Sequence, residues 1–245
     1  MAGRSPEGGG RVALSPHPAA SREHRDTWGA RGLVVTMVGA LAVFVLAHAF
    51  LVQGFFIPTG SMEPTLHGCS ACDGDRVLVD RLAARTGAIE RGDVVVFRDS
   101  QGWVAHPPDT SGALVEWLEL AGLAPDEPGE NLVKRVIGIS GDRVEARWGV
   151  LYVNGVRLRE PYLTPGTSAS ATDFDVTVPA GHLWVMGDNR ADSADSRTHL
   201  RDPGGGFVPE SDVVGKAFAI VWPLQRSGAI DAPPTFDQAG LDQPD

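Results

Sequence analysis

Residues 132–139 read LVKRVIGI, an apolar run in which Lys134 and one arginine are the only charged side chains. A continuous run rich in Val and Ile is typical of a β-strand that is buried on both faces. Alternate side chains of a strand share a face, so Leu132 and Val136 lie on the same side as Lys134. The run therefore predicts a strand that places a lysine in largely apolar surroundings.

Other short runs have the same β-type composition and are separated by Gly, Pro and Asp. They are residues 76–80, 93–97, 150–153, 174–178, 183–186 and 217–222. Asn154 and Gly155 follow one of these runs, as expected for a two-residue hairpin turn with positive φ values. Helical periodicity is scarce outside residues 110–123. We therefore expect a mainly β fold, with one domain of antiparallel strands.

Residues 32–56 contain no Asp, Glu, Lys or Arg. A helix of about 20 residues crosses a bilayer core of about 30 Å, so we predict a transmembrane helix over residues 32–54. The alternatives are a buried helix of a soluble domain and a cleavable secretory signal ending near residues 47–49, which read AHA. The anchor is favoured over the signal because the run is longer than a usual signal core and follows 31 other residues.

Basic residues around this run predict its orientation. Residues 57–76 hold only Arg76, whereas five arginines precede the run, namely Arg4, Arg11, Arg22, Arg25 and Arg31. Because basic residues favour the cytoplasmic side of a membrane, the N-terminus is expected in the cytoplasm. The chain is thus predicted to cross the plasma membrane once, with its folded domain outside the cytoplasm.

The rest of the chain divides by composition. Residues 1–31, rich in Gly, Pro, Ser and Arg, are predicted to be a disordered cytoplasmic tail, and residues 225–245 a flexible C-terminal tail. The strand-like runs lie in the predicted domain of residues 55–224, which residues 101–131 interrupt as a surface insertion. The formal net charge is −10 at pH 7. Without a clustered basic face, this charge argues against a nucleic-acid partner.

The chain has two cysteines, Cys69 and Cys72, in C-x-x-C spacing. In an oxidising exterior this spacing favours a local disulfide over free thiols. A zinc site would need two further Cys or His ligands, and His67 alone is not enough. Metal binding and redox catalysis are therefore the less favoured alternatives.

Ser61 lies in residues 57–66, IPTGSMEPTL, directly after the long apolar run. Gly60 precedes it and two prolines flank it, which suits a serine presented at a fixed angle. A serine hydroxyl needs a base to become a good nucleophile, and a neutral lysine amine can supply one. Burial lowers the pKa of a lysine from its ordinary value of about 10.4. Lys134 is therefore the candidate base.

Four segments together closely resemble the bacterial type I signal peptidases, the Ser/Lys peptidases of family S26. They are residues 57–66, residues 132–138, residues 187–190 (GDNR) and residues 193–197 (SADSR). The resemblance implies a domain of orthogonally packed, antiparallel β-sheets behind one N-terminal transmembrane helix. It also implies a membrane-bound serine endopeptidase that uses no cofactor and no metal.

The same resemblance assigns roles to single residues. Ser61 would be the nucleophile and Lys134 its general base, and Ser193 would hydrogen-bond the lysine ammonium. The backbone N–H of Ser61 and the hydroxyl of Thr59 would form the oxyanion hole. The other matched residues would support the site: Asp195 and Arg197 as an ion pair, Asp188, Arg190, and Gly187 through close backbone approach to Lys134.

The implied substrates are secretory preproteins, cleaved at Ala-x-Ala junctions after small residues that fit shallow apolar pockets. The residues that match pocket positions of the family are Phe55, Ile57, Met62, Leu66, Leu132 and Val133. An extended substrate would pair with the lysine-bearing strand. The other expected partners are the lipid bilayer and, by proximity, the secretion translocon.

Two alternatives to this function stay open at this point. One is a related Ser/Lys peptidase with other substrates, which would keep the dyad and change the pocket. The other is a membrane-tethered binding domain that has lost catalysis, but both Ser61 and Lys134 are present.

Overall fold

The computed structural model describes residues 26–69, 73–104 and 131–242. The chain divides into two compact units, Met1–Leu46 and Ala47–Asp245. In the first unit the described element is most of helix α1, Asp26–Leu51, whose side chains from residue 31 to residue 41 are exposed. Within the described ranges, we find no helix with the length and apolarity needed to cross a membrane.

Helix α1 has different bounds from the helix predicted over residues 32–54. It begins at Asp26, and strand β1, Val52–Phe56, follows it at once. Strand β1 pairs antiparallel with β2, Arg76–Asp80, along its whole length. Residues 52–54 are therefore strand instead of helix, because their backbone groups bond to β2 and do not continue the helical pattern.

The remaining strands all lie in the second unit. They are β3 (Val94–Arg98), β4 (Asn131–Gly138), β5 (Arg143–Arg147), β6 (Val150–Val153), β7 (Val156–Arg157), β8 (Phe174–Thr177), β9 (His182–Met186), β10 (Val208–Pro209), β11 (Val213–Trp222) and β12 (Gly228–Ala229). A short helix α2, Arg81–Thr86, follows β2. Asp80 begins this helix by accepting a hydrogen bond from the backbone N–H of Leu82.

The strands form two sheets. The large sheet has the order β1-β2-β11-β3-β4-β9-β10, with β12 also paired to β11, and the small sheet has the order β7-β6-β5-β8. Each of these pairs is antiparallel, so the prediction of a mainly antiparallel β domain is confirmed. Strand β4, which carries Lys134, lies inside the large sheet between β3 and β9. The angle at which the sheets pack stays a prediction.

Both faces of the large sheet are buried at β3. Alternate residues of β3 belong to two apolar clusters: Val94 and Val96 to the one that contains Met62, and Val95 and Phe97 to the other. A third cluster combines side chains of both sheets. A central strand of this kind must be apolar on both sides, which explains the continuous apolar sequence of β3 and of β4.

The C-terminal segment packs on the domain, where residues 225–245 were predicted to be a flexible tail. Strand β12 pairs with β11, and a short 3-10 turn, Pro234–Asp237, follows it. Phe236 and Leu241 are buried in the cluster shared by the two sheets. Burial of these two apolar side chains orders a segment whose Pro- and Asp-rich composition indicates a free tail.

Some predictions fall outside the described residues. The predicted tail over residues 1–31 is described only from residue 26, and the insertion over residues 101–131 only at residues 101–104 and 131. The helical pattern of residues 110–123 lies wholly outside the described ranges. These predictions stay untested.

Candidate active site

Ser61 lies in a short 3-10 turn, Gly60–Met62, that follows β1. Met62 is 1% exposed and Leu66 is fully buried, and both pack in the cluster of β1, β2 and β3. These two anchors fix the turn on the sheet, while Ser61 itself is only half-buried. The turn therefore presents the hydroxyl at the edge of the core.

Lys134 reaches Ser61 from the centre of the large sheet. Its Nζ lies 2.9 Å from Ser61 Oγ and 3.1 Å from the carbonyl oxygen of Val133. Lys134 as a whole is 3% exposed. The two side chains are 73 residues apart in sequence and are brought together by the fold.

The electrostatic setting of Lys134 favours the neutral amine. Burial lowers its pKa to about 8, because a buried ammonium loses its hydration, while the negative charges of Asp195 and Asp188 act in the opposite direction. A substantial fraction of the amine is therefore neutral near pH 8. A neutral amine within hydrogen-bond distance of a hydroxyl can take its proton.

Thr59 lies beside Ser61, and its hydroxyl is already engaged in this structure. Its Oγ1 donates to Ser61 Oγ at 3.2 Å. Thr59 is exposed, so its hydroxyl can rotate toward another acceptor. Its predicted place in an oxyanion hole stays a prediction.

The loop after β9 holds the nucleophile turn from the other side. The backbone N–H of Asn189 donates to the carbonyl of Ser61 at 3.1 Å, and its side-chain amide donates to the carbonyl of Gly60 at 3.1 Å. Asn189 stands in the GDNR segment, but the sequence did not indicate this double contact. Two hydrogen bonds from one residue restrict both the position and the rotation of the turn.

Gly187 allows a close approach of the turn that carries Ser61. A methyl group at its Cα would overlap the Ser61 carbonyl and the Ser193 side chain. The backbone of this turn fills part of the space that a side chain at residue 187 would need. The predicted approach to Lys134 stays a prediction.

Ser193 is placed beside Gly187 and not on the lysine. Its Oγ is buried beside the Asp195 carboxylate, whose pKa it helps to lower. No hydrogen bond from Ser193 to Lys134 is present among the described residues, so the predicted contact stays a prediction.

Asp195 and Arg197 form the predicted ion pair, with Arg197 Nη2 2.8 Å and Nε 2.9 Å from the carboxylate oxygens. The carboxylate also accepts the backbone N–H of Gly187 at 2.9 Å. Burial raises the pKa of Asp195, but the bonds from Arg197 outweigh it, so that the pKa lies below its ordinary value. Asp195 therefore stays charged behind Lys134.

A second buried ion pair joins β4 to the loop after β9. Through Thr65 it also reaches residues 57–69, which carry Ser61 and are called the nucleophile segment below. Arg135 binds Asp188 through Nε at 2.8 Å and Nη2 at 2.6 Å. Thr65 donates its hydroxyl to the same carboxylate at 2.5 Å. The sequence indicated Asp188 but not Arg135 or Thr65 as members of this network. The unusual arginine inside an apolar strand was the one available signal for it.

Arg190 extends the network toward the segment before β8. It donates to the Gly187 carbonyl at 3.0 Å and pairs with Glu160 at 2.6 Å. Tyr162 lies near both Arg135 and Arg190, with the centre of its ring 4.6 Å and 6.0 Å from the two guanidinium groups. Glu160 and Tyr162 have no counterpart in the sequence prediction.

The predicted pocket residues divide between the two faces of the large sheet. Phe55, Ile57, Met62 and Leu66 are buried in one cluster, against which Val133 packs. Leu132 packs against the cluster on the other face. Their role in substrate binding stays a prediction, because most of them fill the core in this structure.

Cys69 is disulfide-bonded. Its predicted partner, Cys72, lies outside the described residues, so the pairing of the two stays a prediction. Within the described part of the chain, no group of three or more His, Cys, Asp or Glu side chains could hold a metal ion.

A serine hydroxyl hydrogen-bonded to a buried lysine amine, on an antiparallel β domain, is the arrangement that a Ser/Lys hydrolase needs. The family model described as "Signal peptidase, peptidase S26" matches residues 30–222 of the chain. This match covers more than half of the chain. The chain therefore belongs to the signal peptidase family S26, a family of serine peptidases, and its activity is that of a signal peptidase I, which cleaves signal peptides.

Individual relatives agree with this family. Signal peptidase I of Mycobacterium tuberculosis (strain H37Rv) is 42% identical over 246 residues, which cover 91% of this chain and 82% of that protein. The probable signal peptidase I of Mycobacterium leprae (strain TN) is 40% identical, over 80% of this chain and 77% of its own. A crystal structure of a signal peptidase I from Enterococcus faecalis is 28% identical and matches 52% of this chain and 95% of its own, with a TM-score of 0.35, too low to support an argument about fold.

Proposed function

We propose that the chain cleaves signal peptides through a dyad of Ser61 and Lys134. The observation that carries the proposal is the 2.9 Å distance from Lys134 Nζ to Ser61 Oγ, with the lysine 3% exposed. The pKa of about 8 supports it, because the amine can be neutral at the pH of the reaction. No histidine or carboxylate is needed as the base.

In the acylation step, the neutral amine of Lys134 takes the hydroxyl proton while Ser61 Oγ attacks the scissile carbonyl carbon. The tetrahedral intermediate collapses when the ammonium returns that proton to the leaving amine nitrogen, and the C–N bond breaks. In deacylation, Lys134 takes a proton from water, whose oxygen attacks the ester carbon, and the proton passes to Ser61 Oγ as the ester bond breaks. The amine is thus neutral again after each cycle.

The negative oxygen of the tetrahedral intermediate would be held by the backbone N–H of Ser61 and the hydroxyl of Thr59. Thr59 Oγ1 lies 3.2 Å from Ser61 Oγ, close enough to turn toward an oxygen bonded to the attacked carbon. A donor of this kind contributes about 3 kcal/mol to the transition state. Its present bond to Ser61 Oγ would be exchanged for one to the oxyanion.

The substrate is proposed to be a secretory preprotein with an Ala-x-Ala junction, bound as an extended segment beside β4. Side chains no larger than alanine would fit shallow depressions lined by the six pocket residues. The six are Phe55, Ile57, Met62, Leu66, Leu132 and Val133.

We infer the membrane location from the sequence. Residues 32–54 lack charged side chains, and the excess of arginines before them predicts a cytoplasmic N-terminus. Ser61 would then act outside the cytoplasm, near the lipid bilayer and the secretion translocon. Alkaline extraction of membranes from cells that express the full chain tests this location, and release of the chain into the soluble fraction would contradict it.

Cleavage of a purified preprotein in detergent tests the dyad. Ser61→Ala and Lys134→Ala are expected to abolish turnover, while both proteins keep the folded β domain. Lys216→Ala is the matched control, because Lys216 is the chain's other lysine, is partly exposed, and pairs with Asp93 and not with Ser61. Undiminished cleavage by Lys134→Ala would refute the mechanism.

A further inference from the structure

Arg226 lies beyond residues 30–222, the part of the chain that the family model matches. It ends a short 3-10 turn, Leu224–Arg226, in the segment predicted to be a free tail. Its guanidinium donates from Nε to Asp75 Oδ1 at 2.9 Å and from Nη2 to Asp75 Oδ2 at 3.0 Å. The same Nη2 lies 3.2 Å from the carbonyl oxygen of Thr65. Arg226 therefore contacts the chain on both sides of residues 66–74.

Asp75 connects the two ends of the segment that carries Ser61. Its backbone carbonyl accepts from the N–H of Ile57 at 2.9 Å, and its N–H donates to the carbonyl of His67 at 2.8 Å. Its carboxylate also accepts from the N–H of His67 at 2.8 Å. Asp75 is 1% exposed. The position of this one residue thus determines where residues 57 and 67 lie relative to each other.

Close packing transmits that position to the nucleophile. A methyl group at the Cα of Gly68 would overlap the backbone of Ile57 and would press on the backbone of Thr59. Thr59 is two residues before Ser61 and donates to its hydroxyl. A shift of residues 67 and 68 therefore displaces the turn that presents Ser61, because no free space separates the two backbones.

We propose that Arg226 is a positioning residue for Ser61, which it holds in place through Asp75 and the carbonyl of Thr65. The proposal rests on the proposed function of Ser61 as the nucleophile. Removal of the guanidinium leaves a buried carboxylate without its cation, and this carboxylate must turn toward water or take up a proton. Either change weakens its hydrogen bond to His67 and moves Ser61 away from Lys134.

The test is steady-state cleavage of a preprotein by the full chain carrying Arg226→Ala or Arg226→Lys. We expect kcat to fall about 10- to 100-fold in Arg226→Ala with KM within about twofold, since a displacement near 1 Å costs up to about 100-fold in rate. Arg226→Lys keeps the charge without the paired N–H geometry and should lose part of that rate. If Arg226→Ala does not fold, the kcat of Arg226→Lys is measured in its place.

Arg91→Ala is the matched control. Arg91 binds the buried Asp142 through Nε and Nη2, both at 2.7 Å, and has no hydrogen bond to the nucleophile segment among the described residues. Its loss should lower the melting temperature without lowering kcat. Guanidinium ion at about 50 mM, where its denaturing effect is small, should restore kcat in Arg226→Ala and have no such effect on Arg91→Ala.

Ser61→Ala in the same assay separates the two levels of the proposal. If Ser61→Ala still cleaves, the proposed function fails and the role of Arg226 fails with it. If Ser61→Ala is inactive but Arg226→Ala keeps the kcat of the unmodified enzyme, only the positioning role is overturned. The positioning role is also overturned if Arg226→Ala loses no more kcat than Arg91→Ala does, or if Arg226→Ala raises only KM.

Discussion

The two lysines of the chain lie in opposite environments. Lys216 pairs with Asp93 at 2.6 Å and keeps 30% of its side chain exposed. Lys134 is 3% exposed and contacts the Ser61 hydroxyl and the Val133 carbonyl. A neutral partner does not stabilise an ammonium as a carboxylate does, so burial dominates and lowers the pKa of the Lys134 amine.

The rate of cleavage should follow the titration of Lys134. Only the neutral amine can accept the Ser61 proton, so kcat/KM is expected to fall about tenfold for each pH unit below the pKa of about 8 and to level off above it. A pH series between pH 6 and pH 10 measures this profile. A profile that is flat across that range would exclude Lys134 as the base.

The same pKa predicts the stability of Lys134→Met. The folded-state pKa of about 8 is below the ordinary 10.5, so between these values the unfolded chain binds more protons than the folded chain. The free energy of unfolding of the unmodified protein therefore rises with pH in this window. Below pH 8 it is reduced by the full free-energy cost of burying the charged amine. Lys134→Met lacks this cost.

We therefore expect Lys134→Met to be more stable than the unmodified protein at pH 7, with a difference that shrinks as the pH approaches 10.5. Thermal unfolding at several pH values measures it, and Lys216→Met is the control. A difference that does not change with pH would show that the pKa of Lys134 is not lowered by folding.

At the level of elements, the site is the meeting point of β4, the turn after β1 and the loop after β9. Strand β4 supplies Lys134, and its neighbour Arg135 ties the strand to Asp188 in that loop. Asn189 of the same loop holds the nucleophile turn. The three elements fix one another, so that a change in the loop alters the catalytic distance without touching either reacting side chain.

Gly187→Ala tests this coupling. The new methyl group would overlap the Ser61 carbonyl and force the turn away from Lys134, so we expect kcat to fall by about 100-fold while the domain stays folded. Gly228→Ala is the control, because its methyl group would meet nothing within 4 Å. Full activity of Gly187→Ala in the preprotein assay would show that displacement of the turn does not lower kcat.

At the level of the whole molecule, the C-terminal segment is part of the domain. It returns along β11, places Phe236 and Leu241 in the cluster shared by the two sheets, and brings Arg226 to the nucleophile segment. Its contribution to stability should therefore resemble that of core elements.

Phe236→Ala is expected to lower the free energy of unfolding by about 3–5 kcal/mol, as for other buried aromatic side chains. The ring packs 6.2 Å from that of Tyr162 and is 8% exposed as a residue. Leu224→Ala is the control in the same segment, since Leu224 is 68% exposed. Equal denaturant midpoints for the two variants would show that the segment does not stabilise the domain.

Local signals in the sequence were enough to predict the antiparallel β class and to select Ser61 and Lys134 as the candidate dyad. Strands follow from local composition and alternation, and a lysine inside an apolar strand indicates a base whatever its partner. Those signals are local, so they can be interpreted without knowledge of the tertiary contacts. The bounds of helix α1 were less well determined, because pairing with β2 competes with helix continuation at residues 52–54.

Which distant groups meet could be learned only from the folded chain. It placed Gly187 against the Ser61 carbonyl, left the Ser193 hydroxyl without a hydrogen bond to the amine, and buried two apolar side chains of a segment that is otherwise rich in Pro and Asp. Contacts of this kind depend on the pairing order of strands far apart in the chain. Local composition carries no information on that order, because many pairings of the same strands would bury similar apolar area.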